Sequence, residues 1–165
     1  MAKITFKGQS DYFARLQQLD SVFAKESTIE RAVAAGAAPV ADEIRRRIES
    51  LPEEEFRHLN PGETFSGIPK SQKEDLEKAF GLTPIRRDKK GFVHTKAGFD
   101  GYGRHPTKTY PHGVPNALIA RATESGSSVR RKHPFVAPAV NLKRAESVNA
   151  MEQSIDNDIK KIFKE

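Results

Sequence analysis

The chain has no cysteine and no tryptophan, only two methionines, and no long apolar run. Without cysteine there is no disulfide, no thiol nucleophile, and no zinc or iron–sulfur site built on thiolates. A membrane span needs roughly 18 consecutive apolar residues, and no stretch approaches that. The opening Met1-Ala-Lys-Ile-Thr-Phe-Lys-Gly8 lacks the apolar centre of a secretory signal, so a soluble protein of a cytoplasm-like compartment, without membrane contact, is expected. Hydrophobic residues make up 36% of the 165 and charged ones 30%, but the apolar residues fall into periodic blocks. A single folded domain over residues 1–165 is therefore expected, with long loops at 52–70 and 100–116.

Catalytic patterns are missing too. His58, His94, His105, His112 and His133 show no metallopeptidase spacing. Gly101-Tyr-Gly103 opens like a dinucleotide fingerprint, but position 106 is Pro and no helix follows. Glu53-Glu54-Glu55 reads as solvated surface. No nucleophile elbow or P-loop is present, so the expectation is of a non-enzyme with no cofactor and no metal.

What the chain does have is unevenly placed charge. The net charge is +6, yet residues 84–133 alone hold 11 Lys/Arg against Asp88, Asp100 and Glu124, a local excess of +8. Such a stretch can meet nucleic acid or an acidic protein surface. Phe92, Phe99, Tyr102 and Tyr110 interleave with these cations, in the manner of side chains that stack on bases while others neutralise phosphates. A small basic nucleic-acid-binding protein is accordingly the alternative to the function inferred below.

Periodicity organises the rest. Ile4 and Phe6 alternate as in a strand, and Phe13, Leu16, Leu19 and Phe23 share a helical face. Ser27 to Glu30 fits a capping box, and Ile29, Val33, Gly36, Val40, Ile44, Ile48 and Leu51 run behind it, with a kink or a short break expected at Pro39. Residues 52–70 read as irregular. Ser71 to Glu74 fits a second capping box, opening a helix that Gly81 should end. Thr83–Arg87 and Phe92–Phe99 predict a hairpin about Asp88–Gly91, the second strand placing Val93, Thr95, Ala97 and Phe99 on one face. Asp100–Asn116 is rich in Gly, Pro and Tyr, and its polarity predicts a loop with little to fold against in its own domain. Ala117–Thr123 is strand or helix. A last helix, with Pro138 in its first turn, carries Val148, Met151, Ile155, Ile159 and Ile162. The fold class expected is α+β: a small, mostly antiparallel sheet packed against a long kinked helix and a C-terminal helix. Its core is expected to include Phe13, Leu16, Val33, Val40, Ile44, Phe99, Phe135, Val148, Ile155 and Ile159.

Several segments together have a familiar pattern: Leu76 to Ile85, Gly98 to Tyr102, Pro115 to Arg121, Glu124 to Gly126, and His133-Pro-Phe-Val-Ala-Pro-Ala139. Most specific are Glu124, Gly126, Pro134, Phe135, Pro138 and Ala139. This pattern resembles the tail-component family of long-tailed phages, over roughly residues 8–163. The chain departs from it where Pro52-Glu-Glu-Glu55 stands in place of the Thr-Gly-x-Leu of many members, and where Ser127 replaces a Thr. The resemblance implies a bacteriophage structural protein of the virion neck, assembled in the bacterial host cytoplasm, for tail completion or head–tail joining. It further implies an oligomeric ring, sixfold like the tail, with DNA in its lumen. Its partners would be adjacent head-closure or connector proteins and tail-tube or tail-terminator proteins. Candidate subunit-interface or DNA-facing residues are Arg86, Arg87, Lys89, Lys90, Tyr102, Arg104, Tyr110, Arg130, Arg131 and Lys132.

Overall fold

A computed structural model describes residues 26–163, together with the single helical positions 14, 17 and 20. The expected strand at Ile4–Phe6 and the stripe of Phe13, Leu16, Leu19 and Phe23 lie outside the described residues. Among the described residues run α1 (Glu26–Glu49), β1 (Glu53–Glu54), β2 (Ile68–Pro69), α2 (Lys70–Ala79), β3 (Phe80–Leu82) and β4 (Arg86–Arg87). They are followed by β5 (Val93–His94), β6 (Ala97–Phe99), α3 (Asn116–Ser125) and α4 (Val136–Phe163). The protein belongs to the α+β class.

The backbone of the fold is an antiparallel pair, α1 against α4. Arg31 near the start of α1 bonds Asp158 near the end of α4 at 2.5 Å, while Gly36 meets Ser147 and Met151. The approach at Gly36 is close: a Cβ there would lie 2.4 Å from Met151 Cγ and 3.1 Å from the Ser147 carbonyl oxygen. The Ser147 hydroxyl donates to the Gly36 carbonyl. Asp158 also accepts from Lys161, and with Arg31 this holds its carboxyl down at about 2.

At the other end of the pair lies the core. Ile44, Ile48 and Leu51 meet Leu76 of α2, Phe80 of β3, Ile119 of α3, and Phe135 and Ala139 at the start of α4. Phe99 bridges Phe80 and Phe135, with ring centroids 5.3 and 6.0 Å away, the second edge-on. Each large side chain buried this way contributes about 1.5–3 kcal/mol. Val40 and Phe99 pack on the cluster, and Val33, Ile155 and Ile159 are half-buried.

Several expectations are corrected. Helix α1 is continuous through Pro39, so the expected break does not occur, since Val40, Ala41 and Ile44 packed beyond it hold the helical path across one lost hydrogen bond. Ser27 lies inside α1 rather than ahead of it. Ser71 caps nothing: α2 begins at Lys70, with Pro69 at the N-cap and no side-chain cap. Its entry is set by the parallel ladder that pairs Glu53 with Ile68 and Glu54 with Pro69, so residues 52–70 are not all irregular. Gly81 ends no helix, because α2 passes directly into β3 and Gly81 pairs with Gly98. Val148 is 47% exposed, since α4 turns Ser147 and Met151 toward α1 instead.

In place of one sheet there are three two-stranded ladders, one parallel and two antiparallel. The antiparallel two form a single ribbon. Phe80 pairs with Phe99 and Leu82 with Ala97, then Arg86 pairs with His94 and Arg87 with Val93. From Leu82 to Arg86 the first limb has one more residue than the second has from Ala97 to His94. The extra residue sits by Pro84, which has no N–H for a ladder and so suits a bulge. Val93, Thr95 and Ala97 border an apolar groove of about 350 Å³ beside α1, on the shared face expected of them, but His94 borders it too, so the alternation is broken at that residue.

Candidate interaction surface

The most specific residues of the family-like pattern build one corner between α3 and α4. Helix α4 starts with amide N–H groups that have no carbonyl partner a turn earlier. Glu124, at the end of α3, supplies the missing acceptor. Its Oε2 accepts from Phe135 N (2.7 Å) and Val136 N (2.8 Å), and its Oε1 from Ala137 N (3.0 Å). Partial burial pushes this carboxyl up, but the N–H groups of Val136, Ala137 and Phe135 outweigh it and hold its pKa below the ordinary value. Gly126 has φ +80° and ψ 167°, a conformation open essentially to glycine alone, and lets the chain leave α3 sharply. Pro134 and Pro138, having no N–H, add no unsatisfied donor at the start of α4. Phe135 and Ala139 then enter the core.

Arg130 belongs to this corner and does not face a partner. It is 7% exposed, and donates to Thr123 Oγ1 (2.9 Å) on α3 and Gln72 Oε1 on α2. Burial pushes its guanidinium pKa down. His133 is engaged as well, through a 2.5 Å contact between Nε2 and the Ser66 carbonyl. Its neighbours Arg131 and Lys132 are exposed.

The Asp100–Asn116 loop is fastened to its own domain. At its base Gly103 N donates to the Val114 carbonyl (2.8 Å). Gly113, at φ +100°, comes so near Gly103 that a Cβ would lie 1.8 Å from the Gly103 oxygen. Arg104 reaches α2: its Nε donates to Asp75 (2.9 Å) and its Nη2 to Glu74 (2.8 Å), while its backbone N–H takes the other Asp75 oxygen. The Glu74 hydrogen bond, and then Asp75, raise the Arg104 pKa; Arg104 in turn lowers that of Glu74. Beside it, His105 stacks on Phe56 at 5.7 Å and contacts the Ser71 hydroxyl. Polarity therefore did not leave the loop without anchors, because α2 presents acids to its one arginine. Tyr102 is 66% exposed, whereas Tyr110 is half-buried.

The β4–β5 hairpin is different in kind. Gly91, at φ +86°, closes the turn. Asp88 Oδ1 accepts from Lys90 N (2.8 Å) and Phe92 N (2.9 Å), so the hairpin's own acid is engaged within the turn. Arg86, Lys89, Lys90 and Lys96 are exposed, and none forms an ion pair among the described residues. Arg87 donates to the Gly91 carbonyl (2.8 Å). Phe92 is 67% exposed.

Several cations on the helices and the 52–67 segment are paired at home, whereas Lys78, Arg121, Arg131, Lys132, Arg144 and Lys160 are exposed with no ion pair among the described residues. Arg45 bonds Asp42, and Arg46 and Arg47 bond the buried Glu43. Arg57 bonds Glu54 and Glu63, Lys73 bonds Glu53, and Lys143 bonds Glu146. The sequence reading missed Glu43, Asp75 and Glu54 as anchors. Glu54 closes the 52–67 segment by accepting from Ser66 N and Gly67 N, and those bonds lower its pKa, Gly67 foremost. No periodic signal marks such long-range acids. No group of three His, Cys, Asp or Glu among the described residues is placed to hold a metal ion.

The chain matches no protein-family model, no curated protein and no solved structure.

Proposed function

We infer that the protein is a structural subunit of a phage neck, a tail-completion or head–tail joining ring through which DNA passes. The observation that supports this most is the α3–α4 corner. Glu124, Gly126, Phe135 and Ala139, which carry the resemblance, share one structural task, with the two prolines at the helix entry. A pattern whose members cooperate is better evidence than the same residues scattered over the fold.

A ring subunit needs adhesive surface rather than a catalytic cleft, and such surface is available. Phe92 on the hairpin, Tyr102 on the loop, and Val140, Leu142 and Val148 on α4 are all exposed. They stand on different elements, as head-to-tail contacts require, since these join unlike patches of identical subunits. Pairs of this kind draw their energy from a few large side chains. The test is deletion of the gene in a producing strain. Full heads and unattached tails, rescued by the protein in trans, are the expected result; normal infectious particles without it would overturn the reading.

A further inference from the structure

We propose that the β4–β5 hairpin is a sequence-independent contact for the phosphates of double-stranded nucleic acid, made by Arg86, Lys89, Lys90 and Lys96. The inference starts from neutralisation rather than from charge. Of the ten candidate surface residues, Arg104 is paired with two acids and Arg130 is buried, so neither has charge to offer. Arg86, Lys89, Lys90 and Lys96 are exposed with no ion pair among the described residues, as Arg131 and Lys132 also are, but these four lie along one ribbon whose only acid from Pro84 to Phe99, Asp88, is engaged in the turn. Unneutralised cations are the ones that displace counterions from a polyanion.

Two further features favour nucleic acid over an acidic protein surface. A two-stranded ribbon has the width that a DNA major groove admits. The cations are mostly long, flexible lysines carried at close intervals, which suits a row of identical phosphates better than a fixed set of carboxylates. The proposal does not rest on the ring reading, because a lone subunit carries the whole hairpin.

The test is fluorescence anisotropy of the full-length protein with a labelled duplex of mixed sequence, titrated with salt. Four phosphate contacts give a slope of about −3.6 in log affinity against log salt, which is about 150-fold between 50 and 200 mM. The triple variant Arg86→Gln, Lys89→Gln, Lys90→Gln should keep a slope of only about −0.9, a change of about 3–4-fold over that range. A charge-matched triple on the helices, Lys78→Gln, Arg144→Gln, Lys160→Gln, should behave as the wild type. Equal weakening by both triples, or no salt-dependent binding by the wild type, would overturn the proposal. So would a polyglutamate peptide that competes as well as DNA at equal charge, since the partner would then be an acidic protein. Rings that form without DNA binding would leave the neck assignment standing and remove this one.

Discussion

The α3–α4 corner and the β4–β5 hairpin are both built around a glycine at positive φ and a carboxylate that accepts backbone N–H groups. Both carry a cluster of basic residues. In the corner, Glu124 caps a 28-residue helix and Arg130 ties two helices together, so these two charges are part of the scaffold although Arg131 and Lys132 beside them are exposed. In the hairpin the carboxylate shapes only its own turn, and four cations are left facing solvent. Basic sequence alone does not distinguish these cases. What distinguishes them is whether each charge meets a partner inside the fold, because a neutralised cation holds the fold together and an unneutralised one is available to something outside it.

Breaking the corner should have the largest effect. Glu124→Ala leaves three helix-start N–H groups without their acceptor, and should lower the unfolding free energy by about 2–4 kcal/mol in urea titration. An unchanged midpoint would mean that water serves those groups equally well. Gly126→Ala forces a side chain into a glycine-only conformation, and should cost about 1–3 kcal/mol by the same measurement. The Glu124 carboxyl also makes the corner sensitive to acid. Its folded pKa lies below the ordinary value, so its contribution is fully present above about pH 4.3 and is lost as the pH falls through the lower folded value. Thermal melts from pH 6 to 3 should therefore show a smaller acid-induced drop in Glu124→Gln than in the wild type. Parallel curves would remove Glu124 from the account.

Much of the helical frame was legible because long stripes have one period. Ile44, Ile48 and Leu51 are where their spacing puts them, and Asp88-Lys-Lys-Gly91 does form the turn of a hairpin. In the α1–α4 contact Gly36 and Met151 lie on the expected stripes, but Ser147 rather than Val148 faces α1, because a small polar residue leaves no hydrophobic signal. Ile44→Asp should thus cost several kcal/mol by burying a charge, on the order of 3–5, while Val148→Asp, in water, should cost less than about 0.5. Strands two or three residues long are too short for periodicity to register, and the bulge by Pro84 breaks what pattern there is. At the candidate surface, the exposed hairpin was read from composition. The capture of Arg104 and Arg130 was not, because Asp75 and Gln72 lie 29 and 58 residues away.

Arg86→Gln, Lys89→Gln, Lys90→Gln is the smallest perturbation of stability and the most direct test of the contrast, measured by urea unfolding beside Glu124→Ala. If the hairpin cations are free of the fold, the triple variant keeps the wild-type unfolding free energy within about 0.5 kcal/mol, while the single Glu124 change lowers it several times further. A loss in the triple variant matching that of Glu124→Ala would contradict the account, because those cations would then be bound within the molecule.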